Sequence, residues 1–569
     1  MQRTDRQRRD RRGAPRTRAP AGHTVARLIA EALAAAGVKW AFTVPGESFL
    51  PLLDALPAAG IAVVATRHEG GASFMAEAVG QLTGKPAAVM GTRAVGAANM
   101  SIGIHTARQN STPMVALVGQ VRRDFIGREA FQEVDQVASF GRLAKWAAQI
   151  DDAEHAAEVV GEGLSAALSG RPGPVLFALP EDVLDLPVAD DATAEIRVER
   201  PEPPDSDEVQ KVIELIATAE RPAIFAGGGI FAAHARDALV SLSERLEVPV
   251  FAAWRRPTAF PNDHPHFLGT TGYGAAATVL PRLRDADALL VIGTRLNEVS
   301  TFDYQLPADS TRWAHVDLAP LTGGDGRRAP DLALEADAAA FLEAALAVES
   351  LPNAPRDRVA QLAHDRGAYL AASADDQAGE WRGPGIRPGL VMDVLQRVLP
   401  ANALLTSDAG NFGLWLARGF KFGRDAAFLG PTSGAMGYGL PSAIAASLVD
   451  RDRTVVALCG DGGLAMTMNE LETAVRVGAR PIVLVFDNRR YGTIAMYQQA
   501  EGREPIASEL GPIDFAAVAR ACGAQGGRIT RDAEFEPALR DALAAGRPAL
   551  LQLELDPRWV SPDKPPVSA

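Results

Sequence analysis

Two polar residues in the last third of the chain have the types and spacing of a cation site. Asp461 follows the apolar run 454–458 in Cys459-Gly460-Asp461-Gly462-Gly463. Asn488 stands 27 residues later, after a second apolar run, in Phe486-Asp487-Asn488-Arg489-Arg490. If both runs are neighbouring parallel strands, both residues leave the same sheet edge, where a carboxylate and an amide oxygen can share one hard cation. Mg²⁺ takes few protein ligands and fills its shell with water and phosphate oxygens. Gly462 and Gly463, opening a helix, leave backbone N–H groups free to face a phosphate, which the helix dipole favours. A Gly-Asp-Gly alone is also an ordinary turn. The strand context and the second oxygen ligand are what make it a site.

The elements that must position these residues alternate short β-branched runs with helical stretches, the pattern of α/β domains built on parallel sheets. From about His23, strands are predicted at 40–44, 61–66, 87–90, 113–119 and 175–178. A turn at Pro45-Gly46 leads into a helix from Ser48, and a helix over 71–82 has Phe74, Met75, Val79 and Leu82 on its apolar side. The Pro-, Asp- and Glu-rich stretch 188–206 reads as a linker. A second series has strands at 223–226, 248–252, 288–292 and 313–316, with one helix from the glycine turn 227–229 through Leu246. Residues 350–386, charged and punctuated by Gly and Pro, read as a second linker. The third series has strands at 403–406, 454–458, 482–486 and 549–555, with a helix over 466–475 after the Asp461 turn. The expectation is three successive α/β domains with parallel sheets, at 23–187, 207–350 and 387–560, after a disordered basic tail at 1–22.

Composition bounds the function. With 569 residues, 47% of them apolar, the chain can bury three cores. Its net charge of −13 argues against a general nucleic-acid binder. Apolar runs such as 288–292 fall far short of the ~20 residues of a membrane span. Cys459 and Cys522 are the only cysteines, too few for a disulfide framework and not a metal-type pair. The cytoplasm is the default compartment. Residues 1–20 hold eight arginines against two aspartates, a net +6 that leaves −19 on the remainder. Their twin arginines are followed by no apolar stretch, so they are not a readable export signal. A basic arm for an acidic partner is the alternative to a plain extension.

Taken together, the motifs resemble the thiamine-diphosphate enzyme superfamily, in particular its acetolactate synthase and 2-oxo acid decarboxylase branch, over roughly 23–560. That family's motif is GDG, some 25 residues, then NN; here Asp487 stands in place of the first Asn. The resemblance implies a pyrimidine-binding, a central and a diphosphate-binding domain. It implies that Asp461, Asn488 and the backbone carbonyl of Arg490 hold Mg²⁺ beside Gly462 and Gly463. The segment 433–441 resembles the one that grips the cofactor rings, Gly434 lending its carbonyl to the 4′-amino group and Met436 standing between the rings. Plain core packing is the alternative for Met436. Gly410, Asn411 and Phe412 fall in a loop that contacts the diphosphate in the family. Glu69, in Thr66-Arg67-His68-Glu69-Gly70-Gly71, would hydrogen-bond the pyrimidine N1′ and trade a proton with it. The alternative is a helix cap, since acidic residues favour helix N-termini. Pro45, Asn99 and Gln120 match further family segments around the cleft.

The departures concern the substrate. Acetolactate synthases read SGPG where this chain has Arg93-Ala94-Val95-Gly96, and Arg93 is either a salt bridge or a clamp for a substrate carboxylate. Tyr497 replaces a pocket-shaping tryptophan. Gly293-Thr294-Arg295 lacks the acidic continuation typical of flavin-binding members, which argues against FAD. Nine histidines occur, none after His364; the paired histidines of pyruvate decarboxylase-type enzymes are absent and His105 reads as a helix-surface residue. The implied activity is decarboxylation of a small 2-oxo acid with carboligation to a second carbonyl compound. The alternatives are a plain 2-oxo acid decarboxylase, a 2-hydroxyacyl-CoA lyase or a flavin-dependent oxidase. In the family Glu69 meets the diphosphate domain of another subunit, which implies a homodimer or homotetramer.

Overall fold

The computed structural model describes residues 22–323, 326–351, 357–374 and 383–562. The predicted basic tail therefore lies outside the described residues except for Gly22. Three six-stranded sheets form the frame, and every strand pairing within them is parallel. The first contains β1 (Trp40–Thr43), β2 (Ala62–Ala65), β3 (Ala87–Thr92), β4 (Met114–Gln120), β5 (Trp146–Gln149) and β6 (Pro174–Pro180), in the order β2-β1-β3-β4-β6-β5. The central sheet contains β7 (Ala223–Ala226), β8 (Val250–Ala252), β9 (Phe267–Thr270), β10 (Ala288–Ile292), β11 (Arg312–Asp317) and β12 (Leu332–Glu335), in the order β12-β11-β10-β7-β8-β9. The third contains β13 (Leu404–Ser407), β14 (Ala427–Leu429), β15 (Val455–Gly460), β16 (Ile482–Asp487), β17 (Gln525–Ile529) and β18 (Ala549–Glu554), in the order β14-β13-β15-β16-β18-β17. Strand for strand, the third sheet repeats the topology of the first. The three α/β domains expected from the sequence are present.

The differences from expectation have one pattern. Five strands escape the sequence reading, namely β5, β9, β12, β14 and β17, and each is the edge of its sheet. Interior strands such as β4 and β6 are buried along their whole length and read as continuous apolar runs. Two of the missed edges, β12 and β17, are buried at one position only, and β17 is Gln525-Gly526-Gly527-Arg528-Ile529. The single helix expected after the glycine turn is two, Gly228–Ala232 and Arg236–Leu246, separated at His234, whose φ of 53° breaks the helical path. The predicted linker 350–386 contains the helix Arg358–Ala372. Its Arg358 donates to the carbonyls of Leu246 and Ala217, and its Tyr369 enters the central core. The helix after the Asp461 turn begins at Asp461 itself, runs to Thr467, and is followed by Glu470–Val477. The first linker, 188–206, has no helix or strand before Ser206. Among the described residues no helix is long and apolar enough to cross a membrane.

The helix Glu69–Thr83 is where the first and third domains join. It packs against Arg93–Asn110 of its own domain and Gly439–Val449 of the third, with Met75, Val79, Met100, Ile104, Leu440 and Ile444 in one apolar cluster. One buried carboxylate threads this contact. Glu77 accepts from Asn110 Nδ2 (2.8 Å), Thr112 Oγ1 (2.9 Å) and the Tyr438 hydroxyl (2.6 Å). Burial pushes its carboxyl above the usual range. Arg256 of the central domain donates to Asn110 Oδ1 at 2.8 Å, so all three domains meet here. The close approach depends on small residues. At Gly80 an added Cβ would stand 2.4 Å from the Pro113 carbonyl oxygen. Overpacking of this kind costs about 1–3 kcal/mol, against a helix-propensity gain of up to about 1 kcal/mol for Ala over Gly. Because the obstructing atom is backbone, the steric cost wins. Gly80→Ala is expected to lower the calorimetric melting temperature.

Candidate active site

In β15 and β16, Gly460 pairs with Phe486, so Asp461 and Asp487 leave the ladder side by side and Asn488 follows on the same edge. Asp461 is 7% exposed and its carboxyl is pushed up to about 7, first by burial and then by the neighbouring Asp487 charge. Asp487 accepts from Gln552 Nε2 at 2.7 Å. Asn488 Oδ1 accepts from the Arg490 N–H at 3.1 Å, with Arg489 at a φ of 54° forming the bend. The Arg490 guanidinium pairs with Glu509 at 2.6 Å, so the group of Arg490 suited to a cation is its backbone carbonyl. Side chains are excluded at the two glycines. A Cβ on Gly462 would meet Tyr491 at 2.6 Å, and one on Gly463 would meet Asp408 at 2.5 Å.

These residues line a cavity of about 570 Å³. Asn411 faces it with Oδ1 accepting from Thr493 Oγ1 at 2.6 Å, while its buried Nδ2 donor has no partner. Phe412 stacks on Phe486, ring centroids 5.0 Å apart. Gly434, at a φ of 70°, has nothing within 4 Å of where a side chain would start. Beneath the loop, Asp408 accepts from the Gly439 N–H at 2.8 Å, and burial above all pushes its carboxyl up to about 6. Arg255 of the central domain donates to the Asp408 carbonyl at 2.9 Å. Among the described residues no group of three His, Cys, Asp or Glu forms a metal cage. The oxygen set of Asp461, Asn488 and the Arg490 carbonyl, with an unpaired donor at Asn411, fits a cation whose shell is completed by a phosphorylated ligand.

Of the sixteen residues expected at the site, eleven line this cavity: Gly410, Asn411, Phe412, Gly434, Met436, Asp461, Gly462, Gly463, Asn488, Arg490 and Tyr497. The other five, Pro45, Glu69, Arg93, Asn99 and Gln120, all belong to the first domain and do not. Glu69 opens the helix Glu69–Thr83 and accepts from Asn99 Nδ2 at 2.9 Å. His68, not Glu69, is the capping residue, its ring accepting from the Gly70 N–H. Pro45 follows β1 in the turn to Gly46, which lies against Thr92. Gln120 is committed internally, donating to the Val134 carbonyl at 2.7 Å and accepting from the Val121 N–H at 2.9 Å. Arg93 is ion-paired to Glu47 at 3.3 Å and to Glu181 at 3.1 Å.

The descriptions of thiamine pyrophosphate enzymes match all three units: the N-terminal TPP binding domain over residues 23–139, the central domain over 209–345 and the C-terminal TPP binding domain over 408–553. A probable acetolactate synthase large subunit of Methanocaldococcus jannaschii is 31% identical, covering 95% of this chain and 93% of the relative. The chain belongs to the thiamine pyrophosphate enzyme family. Escherichia coli acetolactate synthase isozyme 2 large subunit is 30% identical, with 93% of this chain and 95% of that one covered. A sulfoacetaldehyde acetyltransferase of Alcaligenes xylosoxydans xylosoxydans is 29% identical, with 91% and 90% covered.

For this family member the structure adds residues that sequence reasoning missed. Glu470 of the third domain is fully buried. Its Oε1 accepts from the N–H groups of Arg67 (3.1 Å) and His68 (3.0 Å), immediately before Glu69, and its Oε2 accepts from Thr473 Oγ1 (2.6 Å). Gly71 is needed beside it, since a Cβ there would stand 2.6 Å from Glu470 Oε1. Glu470 thus anchors the Glu69 segment from the neighbouring domain. No sequence signal separates it from Glu472, two residues on, which pairs with Arg67 and Arg476 near the surface. Glu470→Ala leaves the part-buried N–H groups of Arg67 and His68 without this acceptor, at most about 1–3 kcal/mol each. The melting temperature is expected to fall in the order wild type, Glu470→Gln, Glu470→Ala, because the amide oxygen of Gln retains one acceptor.

Proposed function

We propose that this protein uses thiamine diphosphate and Mg²⁺ to decarboxylate a small 2-oxo acid and to join the retained fragment to a second carbonyl compound, as an acetolactate synthase does. The observation that carries the reading is the oxygen set at the ends of β15 and β16, in one cavity with Gly434 and Met436. Asp461, Asn488 and the Arg490 carbonyl would hold Mg²⁺ against the cofactor's diphosphate. Asn411 Nδ2 and the N–H groups of Gly462 and Gly463 would donate to its oxygens. Gly434 and Met436 would hold the rings. When bound, thiamine diphosphate supplies the carbon nucleophile that adds to the substrate carbonyl and the sink for the electrons released with CO₂. Glu69 would give and take a proton at the pyrimidine N1′, with Asn99 orienting its carboxylate. The apolar lining, including Phe412, Trp415 and Phe428, keeps water from the reacting carbon.

The site is assembled from two copies of the chain in this reading. Glu69 and Asn99 lie outside the cavity of their own chain, on a face they share with Val95, Ala98 and Ile102. These three sit one helical turn apart along Arg93–Asn110, and Val95 and Ile102 are 46% and 42% exposed. An apolar stripe beside a catalytic carboxylate supports a homodimer or larger homo-oligomer that sets Glu69 of one copy against the cavity of the other.

The test of the reaction is product analysis with pyruvate, thiamine diphosphate and Mg²⁺. Acetolactate is the expected product; acetaldehyde alone would indicate a plain decarboxylase, and flavin absorption in the purified protein an oxidase. Glu69→Gln keeps the hydrogen bond but not the proton, so hydrogen–deuterium exchange at C2 of bound thiamine diphosphate is expected to slow by about 10²–10⁴-fold. Cofactor binding should persist in that variant. Asp461→Ala, in contrast, is expected to abolish Mg²⁺-dependent cofactor binding in calorimetry.

A further inference from the structure

The loop that carries Gly434 and Met436 is held by more than its own domain. It runs from Pro431, past β14, to Tyr438, before the helix Gly439–Val449. Within the third domain, Thr467 Oγ1 donates to the Gly437 carbonyl at 3.0 Å, and the Gly434 N–H donates to the Pro431 carbonyl at 3.1 Å. Further tethers come from the first domain of the same chain. Asn110 Oδ1 accepts from the Thr432 N–H at 3.0 Å and from Thr432 Oγ1 at 2.7 Å. Thr106, one turn earlier on the helix Arg93–Asn110 and fully buried, meets Ser433 with Oγ atoms 2.9 Å apart. Thr106 gives its one hydroxyl hydrogen to the Ile102 carbonyl at 2.8 Å, so Ser433 is the donor of that pair. At the far end of the loop, Glu77 accepts from the Tyr438 hydroxyl.

Asn110 itself cannot turn. Its Oδ1 also accepts from Arg256 Nη2 at 2.8 Å, and its Nδ2 donates to Glu77 Oε1 at 2.8 Å. Reversing the amide would set its NH₂ against three donors and its oxygen against a carboxylate. Gly434, in contrast, has no atom within 4 Å of where a side chain would start, so its place is set through Thr432 and Ser433, the two residues before it. The helix has a second duty. Asn99, which donates to Glu69, precedes Thr106 by seven residues and Asn110 by eleven, so all three lie within about 40° of one helix face. One rod therefore holds the ring loop at one end and the Glu69 carboxylate near the other.

We propose that Asn110 and Thr106 are positioning residues for the cofactor rings: acting through Thr432 and Ser433, they set where Gly434 and Met436 stand in the cavity of their own chain. The proposal rests on the functional reading above, in which Gly434 and Met436 hold the rings while Asp461, Asn488 and the Arg490 carbonyl hold the diphosphate through Mg²⁺. Its consequence is a split between the two ends of the cofactor. Without the tethers the diphosphate end is intact, but binding of the whole cofactor must itself order the loop, and that ordering is lost affinity.

The test compares thiamine diphosphate with inorganic pyrophosphate, which has the metal-binding end and no rings, by calorimetry with Mg²⁺ well below the melting temperature. In Asn110→Ala, affinity for thiamine diphosphate is expected to fall about tenfold, and in Thr106→Val, which keeps the shape and removes one acceptor, about threefold. Affinity for pyrophosphate should stay within about twofold of wild type in both. Asn110→Asp is the rescue. It keeps the oxygen for Thr432 and Arg256 but loses the donor to Glu77, so its melting temperature should fall while its affinity for thiamine diphosphate is retained. Equal losses for the two ligands overturn the proposal, because they report general loosening. An Asn110→Asp variant as weak toward thiamine diphosphate as Asn110→Ala also overturns it. Should Asn110→Ala not fold, the comparison in Thr106→Val decides, and an unchanged preference for thiamine diphosphate there overturns the proposal. A wild type that binds thiamine diphosphate no more tightly than pyrophosphate overturns the functional reading itself. A wild type that prefers thiamine diphosphate, with variants that share its preference, overturns the positioning role alone.

Discussion

The parallel register of β15 and β16 forces two carboxylates, Asp461 and Asp487, to leave one sheet edge side by side in a buried position. Burial, and then the Asp487 charge beside it, push the Asp461 carboxyl up to about 7, while Asp487 accepts from Gln552. Such a pair is a cost to the folded chain unless a cation joins it. Everything around it suits that need. The glycines that follow let Tyr491 and Asp408 approach closely, Asn488 adds a neutral oxygen, and the Arg490 side chain is drawn off to Glu509. A guanidinium left among these oxygens would have neutralised them in place of a metal.

The first domain depends on the third for its own candidate catalytic group. The Glu69 segment is pinned by Glu470 at its start, and two turns along the same helix Glu77 binds Tyr438, just past Met436. Both anchors are buried carboxylates accepting from several donors, an arrangement that is costly to leave half-satisfied. One helix therefore links Glu69 to the loop that carries Met436 and Tyr438 in the same chain. Yet the cavity of that chain is lined without any of the expected first-domain residues. The expected site residues of one chain therefore fall into two groups held in fixed relation. In the two-copy reading, each group is completed by a partner.

The central domain, which shares neither the topology nor the expected site residues of the other two, is joined to both by arginines. Arg256 reaches Asn110 of the first domain, and Arg255 reaches the Ser407 and Asp408 carbonyls of the third. Both side chains are half-buried, and burial pulls their guanidiniums below the ordinary range. Arginine suits this use because its planar fork satisfies several carbonyls at once. The same loop that carries these residues presents Trp254 to the cavity, so interdomain cohesion and part of the cavity lining come from one stretch of chain.

The sequence by itself determined the interior of this protein. Strands buried on both faces must be apolar throughout, so β4, β6, β10, β15 and β16 were legible as runs, and with them the edge from which Asp461 and Asn488 depart. The glycines beside Asp461 were legible for the same reason, since no other residue fits there. Only the tertiary structure decided what lies at boundaries. Of the five missed edge strands, β5, β12 and β17 are only partly covered and β9 and β14 are four and three residues long, so none gives an apolar run that stands out from a loop. Glu470 and Glu472 are indistinguishable along the chain, and only packing across the domain junction buries the first. Arg93 lies far from Glu181 along the chain, and only the fold pairs it with both Glu47 and Glu181. Short-range patterns encode which faces are buried; which side chains meet across those faces depends on how whole domains dock.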